Sequence, residues 1–237
     1  MHPSHHELTQ NKLLALLSKP DLDVLQPHFE LTDLSLHDVL HTAHDKVEHA
    51  YFPISGICSV IAENAQGIHI ETGLIGREGF VGIPIIHYAD SAPLKVIVQA
   101  DGRALKMSRA ALLHALETNR TFSANLLRFA HVFSVQVSQT ALANGHFTLN
   151  QRLARWLLMC HDRVELNEFP MTHRFLATML AVRRAGITEA LNFLEGENAI
   201  KALRGRIAIL NRKKIEEIAH SAYGVPEREY QRLLPPL

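Results

Sequence analysis

From about residue 30 to residue 107, apolar side chains come in short runs broken by turn residues. The runs are Tyr51-Phe52-Pro53, Ile57-Cys58-Ser59-Val60-Ile61, Ile68-His69-Ile70-Glu71 and Lys95-Val96-Ile97-Val98-Gln99-Ala100. Between them lie Ser55-Gly56, Asn64-Ala65-Gln66-Gly67, Asp90-Ser91-Ala92-Pro93 and Asp101-Gly102. Short apolar runs at this spacing predict an antiparallel sandwich or barrel. A short helix, Gln10 to Leu17, is predicted to precede it.

Beyond residue 107 the period lengthens. Ser108 stands as an N-cap before Leu112, Leu113 and Leu116. Thr121 to Asn144 contains neither Gly nor Pro, and Leu126, Ala130, Phe133, Val137, Thr140 and Asn144 recur there at spacings of 4, 3, 4, 3 and 4. That is the spacing of a coiled-coil seam. Phe122, Phe129, Val132 and Val135 widen the apolar surface. Such a helix can touch its own sandwich and a partner helix at once; an ordinary core helix accounts equally well for the pattern. After Asn144-Gly145-His146, Gln151 to Val164 is amphipathic, with Leu153, Trp156, Leu157 and Cys160 on one face. A polar link, Glu165 to Pro170, leads to two short helices and a hairpin.

The two short helices fall at 172–195. Thr172 is the N-cap of the first, whose apolar face is Phe175, Leu176, Met179 and Leu180. A tight turn at Ala181-Val182 follows. Ile187, Leu191 and Leu194 are the buried stripe of the second helix, leaving Arg183, Arg184, Thr188 and Glu189 outside near its start. This helix-turn-helix geometry lays the second helix in the major groove. Arg bonds guanine bidentately there, and Glu accepts from cytosine. Residues 200–210 read as two strands around Arg204-Gly205-Arg206, a wing whose arginines reach backbone phosphates. The expected DNA contacts are therefore Thr172, Arg183, Arg184, Thr188, Glu189, Arg204 and Arg206.

Charge agrees with this placement. Overall the chain is neutral, but residues 1–150 carry 10 Lys/Arg against 14 Asp/Glu, and residues 171–214 carry 9 against 3. The positive excess sits on the helix pair and wing, where a polyanion would bind. No apolar run approaches the roughly 20 residues of a membrane span, and Met1 to Gln10 has no signal-peptide core. The two cysteines, Cys58 and Cys160, lack CxxC spacing. A cytoplasmic location is expected.

In order along the chain, these segments resemble the Crp/Fnr family of bacterial transcription regulators. Tyr51-Phe52-Pro53-Ile54-Ser55-Gly56 and Gly76-Arg77-Glu78-Gly79-Phe80-Val81-Gly82 look like the family's cyclic-nucleotide-binding-type jelly roll. Gln151 to Leu158 is similar to the helix that opens its DNA-binding domain, and 172–210 to its winged helix-turn-helix. The resemblance implies an α+β chain: a sensory β domain at 1–120, a dimerisation helix at 121–147 and a winged helix-turn-helix domain at 148–237. It implies a homodimer through Leu126, Ala130, Phe133, Val137 and Thr140, a near-palindromic double-stranded DNA site, and RNA polymerase as a partner.

The signal is another matter. Members that bind cyclic AMP carry a Glu after the Phe-x-Gly and an Arg further on; here Ile83-Pro84 and Ala92-Pro93-Leu94 stand in those places. A buried phosphate without such partners is costly. Lys95 is the nearest cation, so any effector, of unknown identity, is expected near Gly82, Ile83 and Lys95. The N-terminal cysteine cluster of iron–sulfur members is missing, and Ala185 stands where the best-known members place an acidic base-reading residue. No cofactor, metal or catalytic residue is expected. His37, His41, His44 and His49 crowd together without a Cys or an HExxH pattern. They keep open a cupin-like metalloenzyme, beside a ligand-binding or protein-interaction module with a vestigial helix-turn-helix.

Overall fold

A computed structural model describes residues 3–235; Met1 and His2 of the polar N-terminal stretch lie outside the described residues. Two short helices open the chain, α1 (His5–Gln10) and α2 (Lys19–Leu25), each started by a serine whose hydroxyl accepts a backbone N–H. The helix expected over Gln10–Leu17 is interrupted. Asn11 donates to the carbonyls of Pro53 and Gly79, both at 2.9 Å, and accepts from the N–H groups of Leu13 and Leu14. A side chain that satisfies local backbone groups competes with the helix ladder, and only a single 3-10 turn, Leu14–Leu16, follows.

Seven strands then form two antiparallel sheets. β1 (Glu30–Leu34), β7 (Gly102–Ser108) and β3 (His49–Pro53) make one, in the order β1-β7-β3. β2 (Val39–His41), β6 (Leu94–Ala100), β4 (Ile57–Glu63) and β5 (His69–Ile75) make the other, in the order β2-β6-β4-β5. A one-turn helix, α3 (Ile83–Ile86), interrupts the roll between β5 and β6. All four apolar runs lie in or overlap strands. Between the layers a chain of aromatic rings fills the space. Phe29, Phe52, Phe80 and Phe129 are linked by centroid distances of 5.4 to 5.7 Å, with Phe122 5.9 Å from Phe52.

Two helices close this core, α4 (Arg109–Thr118) and the long α5 (Arg120–His146), capped by Ser108 and Asn119. α5 comes close because Gly79 has no side chain: a Cβ there would sit 2.0 Å from Cζ of Phe129. The expected dimer seam is largely used up by this packing. Leu126 is buried, Ala130 and Phe133 are only 8 % exposed, and all three join the first core. Val137 packs against the same core, and Thr140 accepts a hydrogen bond from Arg155 at 3.1 Å. Within one chain that stripe is spent mostly on the β domain, with Val137 and Thr140 left half-buried. A second face of α5, about 100° round, is exposed at Leu127, Ser134, Ser138 and Leu142, and at His131, which is paired with Glu229 of α10 at 2.8 Å.

The remaining elements are α6 (Leu149–His161), β8 (Glu168–Pro170), α7 (His173–Met179), α8 (Arg184–Gly196), β9 (Ile200–Leu203), β10 (Arg206–Ile209), α9 (Arg212–Ala219) and α10 (Val225–Leu233). The segment expected as a polar link contains β8, which pairs with β10 and buries Phe169. The two cores cut across chain order. Tyr230, Leu233 and Leu234, in and just after α10, pack into the first core, whereas Ile57, Ile61 and Leu74 of β4 and β5 pack with α6 in the second. The β2-β6-β4-β5 sheet is thus covered on both faces.

Candidate DNA-binding site and its junction with the β domain

The helix-turn-helix is assembled from local chemistry. Oγ1 of Thr172 accepts the Phe175 N–H at 3.1 Å and starts α7. Three residues, Leu180 to Val182, separate α7 from the Arg183 N-cap of α8, and Ala181 turns the chain at φ +50°. The turn is fastened from behind by Arg152 of α6, whose guanidinium donates to the Leu180 carbonyl at 2.6 Å. Leu176, Ile187, Leu191 and Leu194 are buried against Leu153 and Leu157 of α6.

This leaves Arg183, Arg184, Ala185 and Glu189 exposed at the start of α8. Arg183 and Arg184 have no ion-pair partner among the described residues, and no acid stands in the first turn. Two guanidiniums beside the positive end of a helix repel its dipole and gain from an anion. Thr188 is engaged within the fold: its hydroxyl donates to the Arg184 carbonyl at 3.3 Å, so it accepts from His173 Nδ1 at 3.2 Å. In the wing, β9 and β10 pair with Leu203 opposite Arg206, leaving Arg204-Gly205 as a two-residue loop with Gly205 at φ +74°. Such hairpin loops need positive φ, which glycine adopts at no steric cost. Arg204 is exposed and unpaired among the described residues, whereas Arg206 is held by Glu168 at 2.8 Å. Two further cations, Arg174 and Lys201, are exposed on α7 and the wing. Their charge alone could have flagged them.

The expected effector region does not come together. On β6, Val96 and Val98 face the first core while Ile97 joins the second. Side chains alternate along a strand, so Lys95 shares the Ile97 face and points away from the interior. Gly82 begins α3 at φ +122°, and Ile83 packs against the first core. Among the histidines, His41 is buried with Nε2 3.0 Å from the His49 carbonyl, while His37 and His44 occupy positive-φ turns. Among the described residues no three His, Cys, Asp or Glu side chains gather as metal ligands.

The sequence also gave no sign of a polar network buried where α6 meets the sheet. Trp156 Nε1 donates to Glu71 at 2.6 Å, the Ser59 hydroxyl lies 2.8 Å from Glu71 and 2.6 Å from Gln99, and the Gln99 amide meets Cys160 Sγ at 3.3 Å. Burial pushes the Glu71 carboxyl up to about 7, against the opposing pull of Ser59 and Trp156. One turn further, Arg163 pairs with Glu78 at 2.8 Å and donates to the Leu74 carbonyl. Burial pushes the Cys58 thiol up to about 12 and raises Cys160 as well, so neither is a reactive thiolate.

No helix among the described residues is long and apolar enough to cross a membrane. Residues 151–218 match the Crp-like helix-turn-helix domain family. No curated protein matches the chain by sequence. Among solved structures, FixK2 from Bradyrhizobium japonicum superposes with a TM-score of 0.70 at 15 % identity, over 81 % of this chain and 98 % of that one. The c-di-GMP-responsive global regulator CLP of Xanthomonas campestris matches at 0.64 and 15 %, over 81 % and 99 %. A CRP-family transcriptional regulator from Thermus thermophilus matches at 0.65 and 16 %, over 79 % and 96 %. The chain therefore carries a Crp-like helix-turn-helix domain within the fold of the Crp/Fnr transcription regulators.

Proposed function

We propose that this protein is a homodimeric, sequence-specific DNA-binding regulator that acts on RNA polymerase in the cytoplasm and answers a signal other than cyclic AMP. The observation that carries this is the pair of unpartnered arginines at the exposed start of α8, beside a wing tipped by Arg204. Arg184 reads a guanine, and Glu189 accepts from a cytosine. Arg183 and Thr172 contact phosphates, as does Arg204 from the wing; Arg206 joins them when it leaves Glu168. Thr188 holds the start of α8 through His173. The β domain at 1–120 receives the signal, 121–147 joins the copies, and 148–237 reads DNA.

The homodimer forms along the open face of α5, through Leu127, His131, Ser134, Ser138 and Leu142, and sets two α8 helices on a near-palindrome. Selection from randomised duplexes tests this reading. A near-palindromic consensus is expected, with Arg184→Ala costing about 1–3 kcal/mol and relaxing one position in each half-site. Arg204→Ala should weaken all sequences alike and flatten the salt dependence. A pool that returns no enriched sequence refutes it.

A further inference from the structure

A cavity of about 690 Å³ lies between the two cores, within the range of roughly 300–1,000 Å³ usual for small-molecule sites. It is walled by the N-terminal segment, α5, the end of α6, and α10. It lies away from Gly82 and Ile83, where the sequence pointed. Its floor is apolar: Ala15, Leu16, Phe129, Val132, Pro226 and Leu234.

The polar groups on its wall fall into two sets. The Arg163 guanidinium is committed to Glu78 and to the carbonyls of Met159 and Leu74. Arg212 is committed to Asp162, Glu216, His161 and Tyr223, and the Tyr223 hydroxyl to Asp162. Gln136 is closed on the Leu74 backbone. Among the described residues five groups keep unused capacity: the Lys12 amine, the Tyr230 hydroxyl, the Gln231 amide, one oxygen of Glu78, whose other oxygen takes Arg163, and one oxygen of Glu227, whose other oxygen accepts the Gly224 N–H.

This inventory selects a ligand. A hydrocarbon would cover the half-buried Tyr230 hydroxyl and Glu227 carboxylate without giving them partners. A cation would meet Lys12, Arg163 and Arg212. A nucleotide or other multiply charged phosphate would face Glu78, Asp162 and Glu227 with one uncommitted amine to balance it. A monoanion with an apolar body satisfies the floor and the amine together. We propose that this cavity is an effector site for an amphipathic carboxylic acid, its apolar body on Phe129, Val132 and Leu16 and its carboxylate on Lys12. The Tyr230 hydroxyl and the Gln231 amide donate to the second carboxylate oxygen. Burial raises the pKa of Glu227, which lowers its repulsion of a neighbouring carboxylate. Because the walls come from both cores, an occupant favours their docked arrangement, as any ligand favours the state that binds it better.

Calorimetric titration of the full-length protein with decanoate and with decanol tests the site. Decanoate should saturate at one per chain. Lys12→Ala should weaken it about tenfold, the loss of one charge-assisted hydrogen bond, and leave decanol unchanged. Val132→Trp, which fills the floor, should abolish both. Lys12 and Gln231 are exposed, so Lys12→Ala and Gln231→Ala remain informative if the Trp variant does not fold. Absence of saturable decanoate binding, or equal weakening of acid and alcohol by Lys12→Ala, overturns the proposal. The titration involves no DNA, so its failure leaves the DNA-binding role above standing.

Discussion

Ala181 holds the turn of the helix-turn-helix at φ +50°, a region that costs a non-glycine residue roughly 1–2 kcal/mol. A methyl is tolerated there, but a β-branched side chain is not. Ala181→Val should lower stability by about 1–2 kcal/mol more than Ala181→Gly. Urea midpoints measure this, and equal midpoints for the two variants contradict it. Glu71 is the second residue whose setting has a consequence. It is buried against Ser59, Gln99 and Trp156, with Arg155, Arg163 and Cys160 the other titratable groups bearing on it. Its folded pKa is raised to about 7 from about 4.5. The folded state therefore binds the extra proton, and the stability linked to it is complete below about pH 4.5 and lost as pH rises through about 7. Glu71→Gln should remove that slope. Unfolding followed by fluorescence of Trp156, the one tryptophan, at about pH 5 and about pH 8 compares the two proteins; parallel pH dependences would refute the assignment.

Among the elements, α5 carries the most. One face closes the β domain, and its approach depends on Gly79. Gly79→Ala forces a methyl into the Phe129 ring, and overpacking of this kind costs about 1–3 kcal/mol. Phe129→Leu in the same chain should recover part of that loss; thermal unfolding of the single and double variants decides it, and additive losses argue against the contact. The opposite face belongs to the proposed dimer. Leu127 and Leu142 are about half exposed, at 50 % and 48 %, on a stripe otherwise made of small and polar residues. Leu127→Glu with Leu142→Glu should yield a folded monomer in sedimentation, with weakened binding to a two-half-site duplex. A variant that stays dimeric places the interface elsewhere. The stripe at Leu126, Ala130 and Phe133 packs on the core of its own chain. Period tells which residues share a stripe, but two apolar stripes on one helix compete for the same core.

At the scale of the whole molecule, the winged domain is docked on the β domain rather than tethered to it. α6 covers the outer face of the β2-β6-β4-β5 sheet, and α10 returns to the first core. The first turn of α8 and the turn before it line a shallow groove with Ile68 and His69 of the β4–β5 hairpin. The start of α8 and the β4–β5 hairpin therefore meet in one chain, and the Trp156–Glu71 network and the α10 cavity lie elsewhere along the boundary of the two cores.

Strand runs, the helix pair and the wing were legible in the sequence because each is specified locally: by period, by an N-cap such as Thr172, by a turn glycine such as Gly205. The Arg204-Gly205 loop and the exposed arginines of α8 needed nothing distant to place them. The polar run at 165–170 was misread because β8 exists only by pairing with β10. Asn11 broke a helix because Pro53 and Gly79 accept its amide across the fold. Lys95 and Ile83, near in sequence, face different layers. By itself the sequence determined the main strand runs, the helix pair, the wing, the class of fold and the chemistry at the start of α8, all of which depend on neighbours a few residues away. Only the tertiary structure decided which face of α5 is spent on the core, which polar groups are buried at the junction and where a cavity remains. Those depend on how two cores built from distant segments close on each other, and periodicity carries no information about that distance.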